Sequence, residues 1–183
     1  MIHAVAEWVF SYLCHQDAAR SWAPGGSPLA LCQRCVGVYA GAALMVLLLP
    51  LMRFKPTRSL CGLHALFVFQ MVILGGHLLP HSATVRTLSG HVFIIGASYF
   101  LWNSLRYRWA LLRDERSPRN YLLGILAVLL GLQLSVHAPF SVVAPVVEFL
   151  ALVGLSLIAL AASLTIGDLI SEVTRQKRVA KGD

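Results

Sequence analysis

Three of the four cysteines of this chain lie in one short stretch, together with a histidine. Cys14 and His15 are adjacent, and the segment CQRC places Cys32 and Cys35 within one helical turn of each other. Thiolates and imidazoles are ligands of tetrahedral zinc, so these four residues form a candidate metal site. The same spacing also fits a redox-active thiol pair, or a structural disulfide with one spare cysteine.

The composition around this stretch is that of an integral membrane protein. Hydrophobic residues make up 57% of the 183 residues and charged residues only 13%, whereas soluble domains carry about 25% charged residues. The mean hydropathy is +0.72. We expect no cleavable signal peptide, because the opening residues lack a positive start and a small-residue cleavage motif. The net charge of +7 does not indicate nucleic-acid binding, because the basic residues cluster between apolar runs, as membrane topology requires.

The predicted architecture is an all-α, polytopic membrane bundle that forms a single domain over residues 1–183. A span needs about 20 apolar residues, and five segments meet or approach that length. We predict an interfacial helix at 3–14, a Cys/His loop at 15–30 and a basic cytoplasmic tail at 171–183. The predicted spans cover about residues 31–52, 60–79, 88–109, 121–137 and 142–170.

The distribution of Lys and Arg orients the predicted bundle. The segments after the first and third spans and the C-terminal tail are rich in these residues, whereas the segments after the second and fourth spans hold only Arg86. Arg20 and Arg34 in the opening stretch are a minor counter-signal. Because Lys/Arg-rich loops stay in the cytoplasm, we expect a multi-pass cell-membrane protein with its N-terminus outside and its C-terminus inside. This orientation places the Cys/His site on the outer face of the membrane.

Further ionisable residues are candidates for an extended site on that face. His77 and His81 lie four residues apart at the end of the second span, and they suit either a shared metal or the membrane interface. Glu148 enters the fifth span, where an ionisable group is costly and needs a partner. We predict either a Glu148–Arg86 pair or a proton-handling role for Glu148.

The first span carries a small-residue motif directly after the cysteines. In the segment GVYAG, Gly37 and Gly41 are four residues apart, which lets a second helix approach closely. We expect either a helix–helix contact within the bundle or a homo-oligomer contact at these glycines. The lipid bilayer is the other predicted partner.

The cysteine stretch also resembles the signature of a family of predicted membrane proteins, domain of unknown function 2085. CHQ at 14–16, the RSW at 20–22 and CQRCVGVYAG at 32–41 are similar to its C-H-Q, R-S-aromatic and C-x-R-C-x-G-x-Y-x-G pattern. Gln70, Ser82, Arg86 and Ser89-Gly90 resemble a second block, although His81 and Leu66-Phe67 depart from it. The resemblance covers about residues 12–96. It implies that Arg20 and Arg34 belong to the site, where they would stabilise a thiolate or bind an anion.

Three functions fit these residues. The first is a structural or transport-associated metal site, with zinc bound by Cys14, His15, Cys32 and Cys35. The second is a membrane thiol–disulfide oxidoreductase in which Cys32 and Cys35 pass electrons to a quinone. The third is an enzyme of the lipid interface, with Arg20, Arg34 and Arg86 on a phosphate group. Whether the protein is an enzyme stays open at this point.

Overall fold

The computed structural model describes residues 1–48, 51, 57–75, 82–106, 118–138 and 142–181. Within these ranges the chain is helical, which confirms the predicted all-α class, and Ser21 and Cys32 form one isolated bridge. Two short 3-10 helices, Ala18–Arg20 and Pro24–Gly26, lie in the cysteine loop. The six α-helices are α1 Ile2–Ser11, α2 Gln33–Leu48, α3 Arg58–Gly75, α4 Ala83–Arg106, α5 Pro118–His137 and α6 Val143–Lys181.

Three of these helices are long and apolar enough to cross a bilayer. They are α3, α5 and the segment Val143–Ser171 of α6, with hydropathies of 1.5, 1.6 and 2.4. The first predicted span coincides with α2, whose 16 described residues fall short of the roughly 20 that a span needs. The third coincides with α4, which begins with polar residues. A membrane-embedded bundle is therefore supported by three helices, and five crossings stay a prediction.

Two predicted boundaries differ from the helices observed. The interfacial segment forms a helix only over Ile2–Ser11, with Ala6 and Phe10 buried. The predicted basic tail at 171–183 is largely part of α6, because this helix continues to Lys181 and is 39 residues long. At about 1.5 Å per residue, such a helix exceeds the hydrocarbon thickness by many residues, so its basic end extends beyond an apolar span.

Helix α2 lies at the centre of the bundle and runs in the same direction as α4 and α6. Gly37 and Gly41 of α2 face Thr87 and His91 of α4, so both helices begin at the cysteine end. Helix α3 runs the opposite way, because Gln70 near its end donates a hydrogen bond to the Ser89 carbonyl near the start of α4, at 2.8 Å. The starts of α2, α4 and α6 thus share one end of the bundle with the ends of α3 and α5.

Glycines permit this central position of α2. A Cβ atom on Gly37 would collide with the Thr87 carbonyl oxygen, one on Gly90 with the Arg34 carbonyl, and one on Gly154 of α6 with the Tyr39 carbonyl. Backbone-to-backbone approach of this kind is how small residues drive helix association in lipid. The close contact predicted at Gly37 is therefore made with α4 of the same chain, and that face is not free to receive a second copy.

At the other end of the bundle, the buried His64 side chain forms hydrogen bonds with a backbone carbonyl and with a tyrosine. The His64 Nδ1–H donates to the Leu60 carbonyl at 2.7 Å, since a carbonyl can only accept. Its Nε2 then accepts from the Tyr121 hydroxyl at 2.9 Å. The imidazole stacks on the Tyr99 ring with centroids 3.9 Å apart. These contacts join α3, α4 and α5 far from the cysteines.

We predict that Gly37→Ala destabilises the protein by about 1–3 kcal/mol, since its methyl group would overpack the α2–α4 contact. Gly131 on α5 is the matched control, because a Cβ there meets nothing within 4 Å. Gly131→Ala should leave stability unchanged or raise it by up to about 1 kcal/mol through helix propensity. The measurement is the thermal unfolding midpoint in detergent. Equal midpoint shifts for both variants would contradict the predicted contact.

Candidate metal centre

The structure brings three cysteines together at the start of α2. The Sγ atoms of Cys14, Cys32 and Cys35 all lie within 4.8 Å of one another. Cys14 is buried, the other two are half-buried, and none of the three is in a disulfide. Cys14 lies 18 positions before Cys32 in the chain, so the loop between them must fold back.

Each of the three cysteines is positioned by a helix end. The Cys14 N–H donates to the Phe10 carbonyl at 2.7 Å in the turn that ends α1. The Cys32 carbonyl accepts from the Val36 N–H at 3.0 Å, so Cys32 stands at the N-cap of α2 and Cys35 in its first turn. The positive end of the α2 macrodipole therefore lies at the sulfurs, where it favours thiolate.

Residue Gln16 folds the loop back onto α1. Its backbone has a φ of 47°, a left-handed conformation that few non-glycine residues adopt. Its side-chain amide donates to the Glu7 carbonyl at 2.9 Å and to the Ala30 carbonyl at 3.1 Å. One amide group therefore joins α1 to the segment that leads into Cys32, which brings Cys14 close to the CQRC turn.

The rest of the loop is anchored on α4 and on itself. The Trp22 indole N–H donates to the Thr87 hydroxyl of α4 at 2.7 Å, and the ring packs on His137 with centroids 4.5 Å apart. The Leu29 N–H donates to the Trp22 carbonyl at 2.8 Å. These contacts keep the Gly-Gly segment of the loop attached at both of its ends.

Glu148 on α6 binds the loop and α1 through hydrogen bonds. Its side chain is 1% exposed, and one of its oxygens accepts from the Ala30 N–H at 3.0 Å and from the His3 ring at 2.7 Å. The predicted Glu148–Arg86 pair is therefore wrong. Ala30 precedes the CQRC turn and presents its N–H to α6, while Arg86 on α4 instead donates to the Gln33 side-chain oxygen at 3.2 Å.

Hydrogen bonds within the cluster favour the thiolate form of Cys14. They come from the Cys32 and Cys35 thiols and from the Cys32 N–H at 3.3 Å, and they lower the pKa of Cys14 well below its usual range. A bound cation would displace protons from the other two thiols.

Three arginines surround a cavity of about 250 Å³ next to the sulfurs. Arg34 donates to the carbonyls of Leu74 and Gly75, at 2.7 and 3.4 Å, and so caps the C-terminal end of α3. The cavity is lined by Leu13, Cys14, His15, Asp17, Arg20, Cys32, Gln33, Arg34, Cys35 and Arg86.

Of the predicted site histidines His15, His77 and His81, the structure describes His15. His15 is exposed and lines this cavity, but it is outside the three-sulfur group. His77 and His81 lie outside the described residues. Gln16, Trp22 and His3 also hold the loop or α1 in place, a role that was not predicted from the sequence. The first two stand in the CHQ and RSW motifs and could have been chosen on that basis, whereas no pattern pointed to His3.

The comparison with known families agrees with the resemblance of the cysteine stretch. The model of the family of predicted membrane proteins, domain of unknown function 2085, matches residues 14–100. The match begins at Cys14 and ends within α4, so it contains the three cysteines, Arg34 and Arg86. No curated protein and no solved structure matches the chain.

We predict that the contact between α1 and Glu148 weakens as the pH rises. The hydrogen bond to Glu148 raises the pKa of His3 above its ordinary 6.5. This stabilisation is complete below about pH 6.5 and is lost as the pH rises through the raised value. Because the His3 side chain is 51% exposed, solvent screening keeps the effect below about 1 kcal/mol.

The measurement is the thermal unfolding midpoint between pH 5.5 and 8.5. His3→Gln should remove this part of the pH dependence. Glu7→Gln should keep most of it, because Glu7 is an exposed and more distant partner of His3, at 3.3 Å. Identical pH profiles for the wild type and His3→Gln would show that the His3–Glu148 contact contributes nothing.

Proposed function

We propose that this protein is an integral membrane protein with a zinc centre at Cys14, Cys32 and Cys35. The observation that carries the proposal is the mutual approach of the three sulfurs within 4.8 Å. A tetrahedral zinc with Zn–S bonds of about 2.3 Å needs sulfurs about 3.8 Å apart, so small side-chain adjustments suffice. Thiolate is a soft ligand that suits zinc.

His15 is the proposed fourth ligand. It follows Cys14 directly and lines the same cavity, and rotation of its exposed side chain requires no backbone unfolding. A Cys₃His set closes a tetrahedral site, as structural zinc requires. If His15 stays in solvent, the fourth position is open to an exogenous ligand, as a transport-associated site requires. A structural zinc site and a transport-associated one therefore differ in whether the His15 side chain binds the metal.

A structural role is supported by the position of the three sulfurs. They join the end of α1 to the start of α2, which is the central helix of the bundle, and the intervening loop has little regular structure. Binding energy for a metal at such a junction adds to the folding free energy. The Cys14 thiolate and the helix dipole provide the negative ligand and its stabilisation before the metal arrives.

We predict one zinc per chain in protein purified without chelators. Cys32→Ser should lower the zinc content at least tenfold, because it removes one of three thiolates. Cys61→Ser is the matched control, since Cys61 lies on α3 near the Tyr99 hydroxyl and outside the three-sulfur group. Elemental analysis of the purified chains measures the ratio. A wild-type ratio near zero, or an unchanged ratio in Cys32→Ser, would refute the zinc centre.

A thiol–disulfide oxidoreductase is the second candidate, and the lowered pKa of Cys14 favours it. A thiolate is the nucleophile of thiol exchange, and two neighbouring thiols stand ready to form a disulfide with it. Closing a disulfide between the Cys14 thiolate and a neighbouring thiol releases two electrons and one proton. A membrane quinone is the predicted acceptor, and it would take its second proton from solvent. Alkylation of membranes with and without reductant distinguishes the two functions. Three thiols that stay reduced and zinc-protected exclude the redox function.

We further propose that the centre faces the outside of the cell membrane and that the C-terminus is cytoplasmic. The Lys/Arg distribution supports this orientation. After chelation, a membrane-impermeant maleimide added to intact cells should label Cys14 or Cys32, and Cys61→Ser should label equally. Labelling that requires disrupted membranes would reverse the orientation. The lipid-interface enzyme stays a prediction. Its three arginines line the cavity beside the sulfurs.

A further inference from the structure

Basic side chains outnumber acidic ones on the wall of the cavity beside the three sulfurs. Arg20, Arg34 and Arg86 all line it, and Asp17 is the one acidic side chain on its wall. Asp17 already accepts from Arg20 at 3.2 Å and from the Ala19 N–H at 3.0 Å.

Arg86 has no anionic partner among the described residues. Its described polar contact is the hydrogen bond from Nη1 to the Gln33 side-chain oxygen at 3.2 Å. Its Nε is buried and has no acceptor among the described residues. Glu148 and Asp17 are bound elsewhere. Residues 76–81, which precede α4 in the chain, contain no Asp or Glu that could serve instead.

A second positive element lies on the same wall. Cys32, Gln33, Arg34 and Cys35 are the cap and first turn of α2 and all line the cavity. The N-terminus of a helix carries partial positive charge and unused N–H donors, and it binds anions. Arg86 therefore lines a cavity in which the first turn of α2 also attracts negative charge. Guanidinium groups recognise carboxylate and phosphate through paired N–H donors.

We propose that this cavity binds a small phosphate-type oxyanion, with Arg86 as its principal ligand. The volume of about 250 Å³ is below the roughly 300–1,000 Å³ of sites for drug-sized molecules. It therefore suits inorganic phosphate or the phosphate of a single lipid headgroup. Arg34 is held by the end of α3 and contributes charge, whereas Arg20 lies at the more exposed rim. This site goes beyond the zinc centre and does not require it.

The test uses the full-length protein in phosphate-free detergent, titrated with inorganic phosphate and followed by calorimetry. We expect saturable binding that Arg86→Gln weakens at least tenfold. Arg86→Lys should weaken it by a smaller factor, because Lys keeps the charge but loses the planar fork. Arg119→Gln is the matched control, since Arg119 is an exposed residue in the first turn of α5, at the opposite end of the bundle, and should change nothing.

A parallel arm distinguishes the two sources of phosphate. Protein in nanodiscs of phosphatidylcholine is compared with protein in nanodiscs that contain phosphatidic acid, using bound-lipid counts from native mass spectrometry. A headgroup ligand predicts Arg86-dependent retention of phosphatidic acid and competition by inorganic phosphate. A free ligand predicts phosphate binding with no such retention. Both results support the oxyanion site and assign its source.

The proposal is overturned if the wild type binds neither probe, or if Arg86→Gln and Arg86→Lys bind both as the wild type does. If Arg86→Gln does not fold, Arg86→Lys and the wild type decide the outcome. Zinc content is measured on the same samples. Zinc at full ratio without phosphate binding refutes the oxyanion site alone, and phosphate binding without zinc refutes the metal centre alone.

Discussion

The contact of the α2 backbone with α4 and α6 is the constraint on which the rest of the structure depends. Without side chains at Gly37, Gly90 and Gly154, the carbonyl groups of one helix approach the next directly. In lipid such contact replaces the hydrophobic effect as the source of association. It also fixes the start of α2 beside the start of α4, and this places the CQRC turn next to Arg86.

The loop that completes the site is held mainly by polar contacts to buried or half-buried groups. Gln16 joins it to α1, Trp22 to α4 and Glu148 to α6. These bonds are donated by a side-chain amide, an indole and a backbone N–H, and leaving such a donor without a partner is costly away from water. Three helices thus contribute to holding the site, although its sulfurs come from one short stretch.

Composition and local pattern predicted much of this arrangement. The all-α class, the positions of the five long helices and the close contact at Gly37 follow from hydropathy and residue size. The grouping of Cys14 with Cys32 and Cys35 follows from their chemistry. The partner of Glu148 could not be predicted, because the choice between Arg86 and Ala30 depends on how α6 is rotated. Apolar residues flank Glu148 on both sides in the sequence, so the pattern did not indicate which face of α6 packs against the loop.

The sequence separation between contacting residues limits the order in which these contacts can form during synthesis. Cys14 and Cys32 are 18 residues apart, so the sulfurs can meet as soon as this N-terminal stretch has been synthesised. Glu148 lies 118 residues beyond Ala30, and its carboxylate arrives only when the last helix enters the membrane. Early capture of a metal would therefore hold the loop in shape during translation, until α6 is in place to secure it.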